Sequence, residues 1–174
     1  MRNVSSVSFM AYKEAPQNAT DGDLITWDGL YVNNGNGFSL VTSSFLCPVD
    51  GYYFFQFNLW NGGANSGERC SATLVKDGNN QVRYQDVQTI FDTHTAVLIF
   101  SNNIFSHSSQ VQGKSRVFGD QTIALVMAQS AFISCSAGNR VSLQSNTSNN
   151  IVGGNVERSS VFVGFLVYEV PIED

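Results

Sequence analysis

Gly51-Tyr52-Tyr53-Phe54-Phe55-Gln56-Phe57-Asn58-Leu59-Trp60 is the stretch whose reading decides the fold. Aromatic residues at this density favour extended backbone. Along a strand, successive side chains point to opposite faces. One row is then Tyr53, Phe55, Phe57 and Leu59, which suits a core. The other is Tyr52, Phe54, Gln56, Asn58 and Trp60. That second row is too aromatic for water and too polar for an interior. Rings with a polar tip are favoured where subunits meet, so the row predicts an interface. The competing reading is a central strand covered on both faces within one chain, as in helix-flanked parallel sheets. No helical periodicity in the sequence supplies that second cover.

Outward from this strand, short apolar runs alternate with turn signals. Strands are predicted over residues 7–12, 38–41, 45–49, 70–75, 81–91, 95–100, 123–136, 140–144 and 161–170. Asn33-Asn34-Gly35-Asn36-Gly37 and Lys76-Asp77-Gly78-Asn79-Asn80 read as turns, because Gly and Asn tolerate positive φ. Residues 61–67, 101–120 and 145–158 are polar and read as loops. The middle one is long enough to be an inserted segment. Short strands in this rhythm indicate an all-β sandwich.

Bulk composition narrows the function classes. The chain has 174 residues, the size of one domain, and only 13% are charged, against about 25% in a typical globular domain. So little charge leaves apolar surface for a partner subunit. Nine Lys and Arg, scattered through a chain of net charge −5, argue against nucleic-acid binding, which needs clustered positive charge. No apolar run reaches the roughly 20 residues of a membrane span. Cys47, Cys70 and Cys135 lack metal or redox spacing. They read as small buried hydrophobes, with a Cys70–Cys135 bridge as the alternative. His94 and His107 lie in polar surroundings, and no nucleophile or paired-carboxylate pattern accompanies them. An enzyme is not expected.

Several of these segments carry a resemblance. Ile25-Thr26-Trp27-Asp28 is followed by Asn34-Gly35-Asn36-Gly37-Phe38 and then by Phe45-Leu46-Cys47-Pro48-Val49-Asp50-Gly51-Tyr52-Tyr53-Phe54. The Leu74-Val75-Lys76-Asp77-Gly78 hairpin and the closing Ser160-Val161-Phe162-Val163-Gly164-Phe165-Leu166-Val167-Tyr168 complete the order. This pattern resembles the globular head of the complement C1q / tumour necrosis factor superfamily. The resemblance implies a ten-stranded jelly-roll β-sandwich that assembles as a trimer. It departs from the family at Ser43, where the family often has Gly, and at Gly138-Asn139, where the family has Gly-Asp. It departs again over residues 91–131, which are longer than usual and look more like the tumour necrosis factor branch. No collagen-like stalk precedes the head, which fits a stalkless or trimmed form.

By this resemblance, residues 1–174 form a single C1q-like domain, with residues 1–6 an N-terminal extension and 101–120 an inserted loop. The last strand lies beside the aromatic one. The expected trimer interface is therefore Tyr52, Phe54, Gln56, Trp60, Phe162, Gly164, Leu166 and Tyr168. Ligand contacts are expected on the loops around Asn65, Ser108 and Asn149. No cofactor is expected; the ion the resemblance allows is calcium, through Asp86 and Asp92, with solvated loop acids as the other reading. Sequons at Asn3, Asn18 and Asn146 fit a secreted, glycosylated protein. The implied function is that of a secreted homotrimer with lectin-like or pattern-recognition binding of carbohydrate, microbial-surface or protein ligands. A receptor-binding, cytokine- or hormone-like ligand and a structural matrix trimer are the alternatives.

Overall fold

The computed structural model describes residues 6–64, 69–70, 72–83, 87–92, 95–99, 117–118, 122–153 and 160–170. Among them there is no helix. In chain order the strands are β1 (Ser8–Tyr12), β2 (Gln17–Ala19), β3 (Gly29–Asn34), β4 (Phe38–Ser39), β5 (Ser44–Leu46), β6 (Gly51–Ala64), β7 (Arg69–Cys70) and β8 (Ala72–Lys76). They continue as β9 (Asn79–Arg83), β10 (Val87–Asp92), β11 (Thr95–Ile99), β12 (Val117–Phe118), β13 (Thr122–Cys135), β14 (Arg140–Ser145), β15 (Asn149–Ile151) and β16 (Val161–Glu169). The ten strands expected from sequence are thus met as sixteen segments, because several pairings are only two or three residues long.

An eight-stranded sheet runs β12-β13-β6-β16-β1-β3, with β15 joining β6 to β2. A five-stranded sheet runs β4-β5-β14-β8-β9, and β11-β10-β7 forms a third. All the pairings are antiparallel, β6 being flanked along its length by β13 and β16. The first two sheets share one core. Phe9, Phe55 and Phe162 come from one side, and Phe45, Leu74 and Leu143 from the other. Phe9 is the hub, its ring lying 4.6 Å from Phe38, 4.9 Å from Phe45 and 4.9 Å from Phe162. The predicted inner row of β6 is there: Tyr53, Phe55, Phe57 and Leu59 are all buried.

Gly164 shows why this packing needs glycine within a strand. A Cβ there would stand 2.4 Å from a ring carbon of Phe9 and 2.6 Å from one of Phe55. The Asp77-Gly78 turn has both residues at positive φ, 49° and 79°, the geometry of a tight two-residue hairpin. Ser43, one of the departures from the family pattern, also has positive φ, 45°. A glycine would adopt that conformation freely. Serine is held there by its hydroxyl, which accepts from Trp27 N at 3.2 Å and lies 3.2 Å from the carbonyl of Leu40, to which it donates.

Two sequence expectations are corrected. Residues 61–64, read as loop, continue β6. The polar stretch 145–158 contains β15, which pairs with β2 and buries Ile151 completely. Both polar strands lack an alternating pattern, and the Asn61 side chain pins β15 by accepting from Asn150 N at 2.7 Å. Leu24 forms one isolated bridge, to Gln144.

Candidate functional site

The outer row of β6 borders its neighbours in register. Tyr52 pairs with Ser134 and Tyr168, Phe54 with Phe132 and Phe165, and Gln56 with Ser130 and Val163. Residues opposite one another across an antiparallel pair share a face. The result is a continuous aromatic surface. Tyr52 stacks on Tyr168 at 4.8 Å, while Phe54 meets Phe132 at 5.3 Å and Phe165 at 5.2 Å. Exposure is 63% for Phe132, 53% for Tyr168, 41% for Phe165 and 38% for Tyr52. Gln56 is exposed on the same face, and Trp60 and Phe54 are half-buried.

The expected interface set divides here. Tyr52, Phe54, Gln56, Trp60 and Tyr168 stand in the outer row. Phe162 and Gly164 do not, and this corrects the sequence reading. They pair with Phe57 and Phe55 and lie in the core. Leu166 pairs with Tyr53 and packs against the core as well. The cause is a register shift between Leu166 and Tyr168, which reverses the inward–outward alternation. An uninterrupted alternation carried back from Tyr168 therefore put the wrong half of β16 outside. Phe165 and Phe132 are the residues the sequence reading missed. For Phe132 the signal lay in its neighbours: Ala131, Ile133 and Cys135 form the buried row, which leaves Phe132 outside.

The remaining expectations fall as follows. Asn65, Ser108, Asp86 and Asn3, with His94 and His107, lie outside the described residues, as do the side chains of Asn149 and Asp92 and most of 101–120. Among the described residues no three His, Cys, Asp or Glu side chains gather as metal ligands. Asn18 is exposed on β2. The Asn146 amide donates to the buried Thr73 hydroxyl. Cys135 is a free thiol beside Cys47 in the core, so it does not bridge Cys70. The hydrogen bond to Cys135 and burial both push the Cys47 thiol up.

Asp28, from the Ile25–Asp28 motif, is a structural residue. Its carboxylate accepts from Glu14 N at 2.7 Å and Ala15 N at 2.9 Å. It also stands 3.9 Å from the buried Lys13 ammonium, which donates to the Thr26 carbonyl at 3.0 Å. Desolvation lowers the Lys13 pKa, and the nearby Asp28 charge opposes that shift.

Two antiparallel sheets thus share one core, and the middle strands of the larger sheet turn an aromatic row outward. Residues 8–104 match the family model of the C1q domain, over half of the chain, and the chain belongs to that family. It is 24% identical over 146 residues to complement C1q tumor necrosis factor-related protein 3 of Homo sapiens, covering 83% of this chain and 45% of the relative. The Mus musculus protein of the same name gives the same figures. The chain therefore spans less than half the length of these curated relatives. The globular domain of zebrafish complement 1qA protein superposes with a TM-score of 0.57 at 15% identity, covering 94% of this chain and 99% of that one. At that identity the likeness concerns the fold.

Proposed function

We propose that the chain is a secreted homotrimeric recognition module whose subunits meet through the aromatic face of β6, β13 and β16. The observation that carries this is the contiguous exposed set Tyr52, Phe132, Phe165 and Tyr168, joined by Phe54. Contiguous exposed apolar surface of this kind marks an interaction site. Rings pair at about 0.5–1.5 kcal/mol beyond the area they bury. Trimer assembly is typical of the family, and it would leave the outside of the five-stranded sheet free. Family membership supports a binding role with no catalysis. Ligands of carbohydrate, microbial-surface or protein type, and calcium at Asp86 and Asp92, belong to the same reading.

Native mass measurement at micromolar concentration tests the assembly; a trimer is expected, and a stable monomer overturns it. A glycan array with a microbial-surface pull-down tests recognition. Tight binding to a cell receptor with no sugar or surface ligand would favour the cytokine-like alternative.

A further inference from the structure

Arg140 opens β14 at the end where the Asp77-Gly78 hairpin and the Gly138 turn meet. It pairs with Leu46, and Val141 pairs with Phe45, so Val141 points into the core and Arg140 points out. Ser142 follows on the same outer row. Together with Thr42, Ser44, Asp77 and Gly78 these residues line a cavity of about 370 Å³. Small-molecule sites span about 300–1,000 Å³, so it has room for a single sugar unit.

The polar groups there are unevenly committed. The two Asp77 oxygens accept from Asn139 Nδ2 at 2.6 Å and Arg140 N at 2.7 Å. Thr42 and Ser44 hydroxyls contact each other at 2.8 Å. The exposed Arg140 guanidinium makes one long contact, from Nη1 to Ser44 Oγ at 3.5 Å, and no carboxylate of the described residues stands within ion-pair reach. A guanidinium carries five N–H donors in a planar fork and stays charged at any physiological pH. Most of its donors therefore have no partner among the described residues. Two non-glycine residues at positive φ, Ser43 and Asp77, frame the same place. Such backbone persists only where the surroundings hold it, which fixes the walls of the groove.

We infer that this groove binds an acidic sugar, the Arg140 fork taking the oxyanion and the hydroxyls of Thr42, Ser44 and Ser142 taking sugar hydroxyls. The complement of a guanidinium fork is a carboxylate or sulfate held in two parallel hydrogen bonds. Hydroxyls that both donate and accept match a polyol. Leu46, opposite Arg140 and 40% exposed, offers an apolar surface to the C–H face of the ring. The inference rests on the recognition reading above and gives it a ligand class and a place. That place is the outer face opposite the aromatic one.

The test is titration calorimetry on the full chain with methyl β-D-glucuronide, galactose 6-sulfate and methyl β-D-glucoside. Saturable binding of at least one acidic sugar is expected, with the neutral glucoside much weaker. The glucuronide and sulfate arms tell which oxyanion is preferred. Arg140→Gln should weaken the acidic sugar about tenfold or more, the loss of a charge-assisted hydrogen bond. Arg140→Lys should recover part of it. The backbone N–H that holds Asp77 is kept in both variants, so their unfolding midpoints and native masses should match wild type. Equal binding by wild type and Arg140→Gln, or no acidic sugar bound by an intact trimer, overturns the inference. A trimer whose surface pull-down is unchanged in Arg140→Gln leaves the recognition reading standing while this site falls.

Discussion

The outer face of the eight-stranded sheet carries Tyr52, Phe54, Phe132, Phe165 and Tyr168, whereas the outer face of the five-stranded sheet carries Ser44, Arg140, Ser142 and the Asp77 turn. Toward the core the two sheets are alike: both turn phenylalanine and aliphatic side chains inward. The difference outside shows how one sandwich separates two tasks. Aromatic surface is stabilised when covered and costs little to desolvate, so it suits a second subunit. A guanidinium with hydroxyls around it is costly to bury unless every polar group finds a partner. It suits a small polar ligand that arrives with its own hydrogen-bonding groups.

The sharpest way to break the comparison is to exchange inward and outward residues on one strand. Phe162 and Phe165 stand three residues apart on β16, one in the core and one 41% exposed. Phe162→Ala should cost about 3–5 kcal/mol of unfolding free energy, the price of a cavity beside Phe9 and Trp27. Phe165→Ala should cost about 0.5–1.5 kcal/mol through its ring contact with Phe54. Phe165→Asp should act through assembly, shifting the native mass from trimer to monomer at micromolar concentration. Its apparent stability would then be independent of protein concentration, whereas that of Phe162→Ala, still a trimer, would rise with it. Denaturation at two concentrations with native mass spectrometry decides between them.

On the polar side, the equivalent probe is the Gly138-Asn139 turn. Asn139 accepts from Ser136 N at 2.7 Å and donates to Asp77 at 2.6 Å. The amide can do both; a carboxylate cannot donate. Asn139→Asp should therefore cost about 1–3 kcal/mol at neutral pH, by leaving two carboxylates face to face. Like charge raises a carboxyl pKa in the folded state, so the deficit is present above about pH 4 and shrinks as acidification protonates the pair. Denaturant midpoints at pH 7 and pH 4 read this directly; an equal loss at both would refute the charge account. Ser43 makes the same point on a smaller scale. Ser43→Ala should cost about 1–3 kcal/mol by stranding the Trp27 N–H, and Ser43→Gly should recover about 1 kcal/mol by relieving the positive φ.

These residues also mark how far the sequence could be read. The inner row of β6 was legible because four large apolar residues alternate without interruption. Its outer row followed from the same period. On β16 the reading failed at Phe162, Gly164 and Leu166, because one register shift inverts everything before it and leaves no trace in residue types. The polar strands β2 and β15 were illegible for another reason: their pairing is fixed by Asn61 and a single buried Ile151, not by a pattern. The Arg140 groove was invisible too. Thr42, Ser44, Asp77 and Arg140 come from three separate stretches of chain, and only the β5–β14 pairing and the tight hairpin bring them together.

Tyr53 lies at the inner start of β6, beneath both outer faces, and gives the mildest test. Its phenol is fully buried and donates to the Val49 carbonyl at 2.8 Å. Desolvation pushes its pKa up to about 12. A phenol whose folded pKa is raised holds its proton longer in the native state than in the unfolded one. Its contribution to stability is complete below about pH 10 and is lost as pH rises from there toward 12. Tyr52 and Tyr168, exposed on the outer face, do not share its buried surroundings. An alkaline titration followed at 295 nm should show one phenol ionising late and together with loss of the folded signal. Tyr53→Phe should remove that late phase and flatten stability across this window. A late phase that survives the substitution would place the protected phenol elsewhere and would remove Tyr53 from the boundary between the two faces.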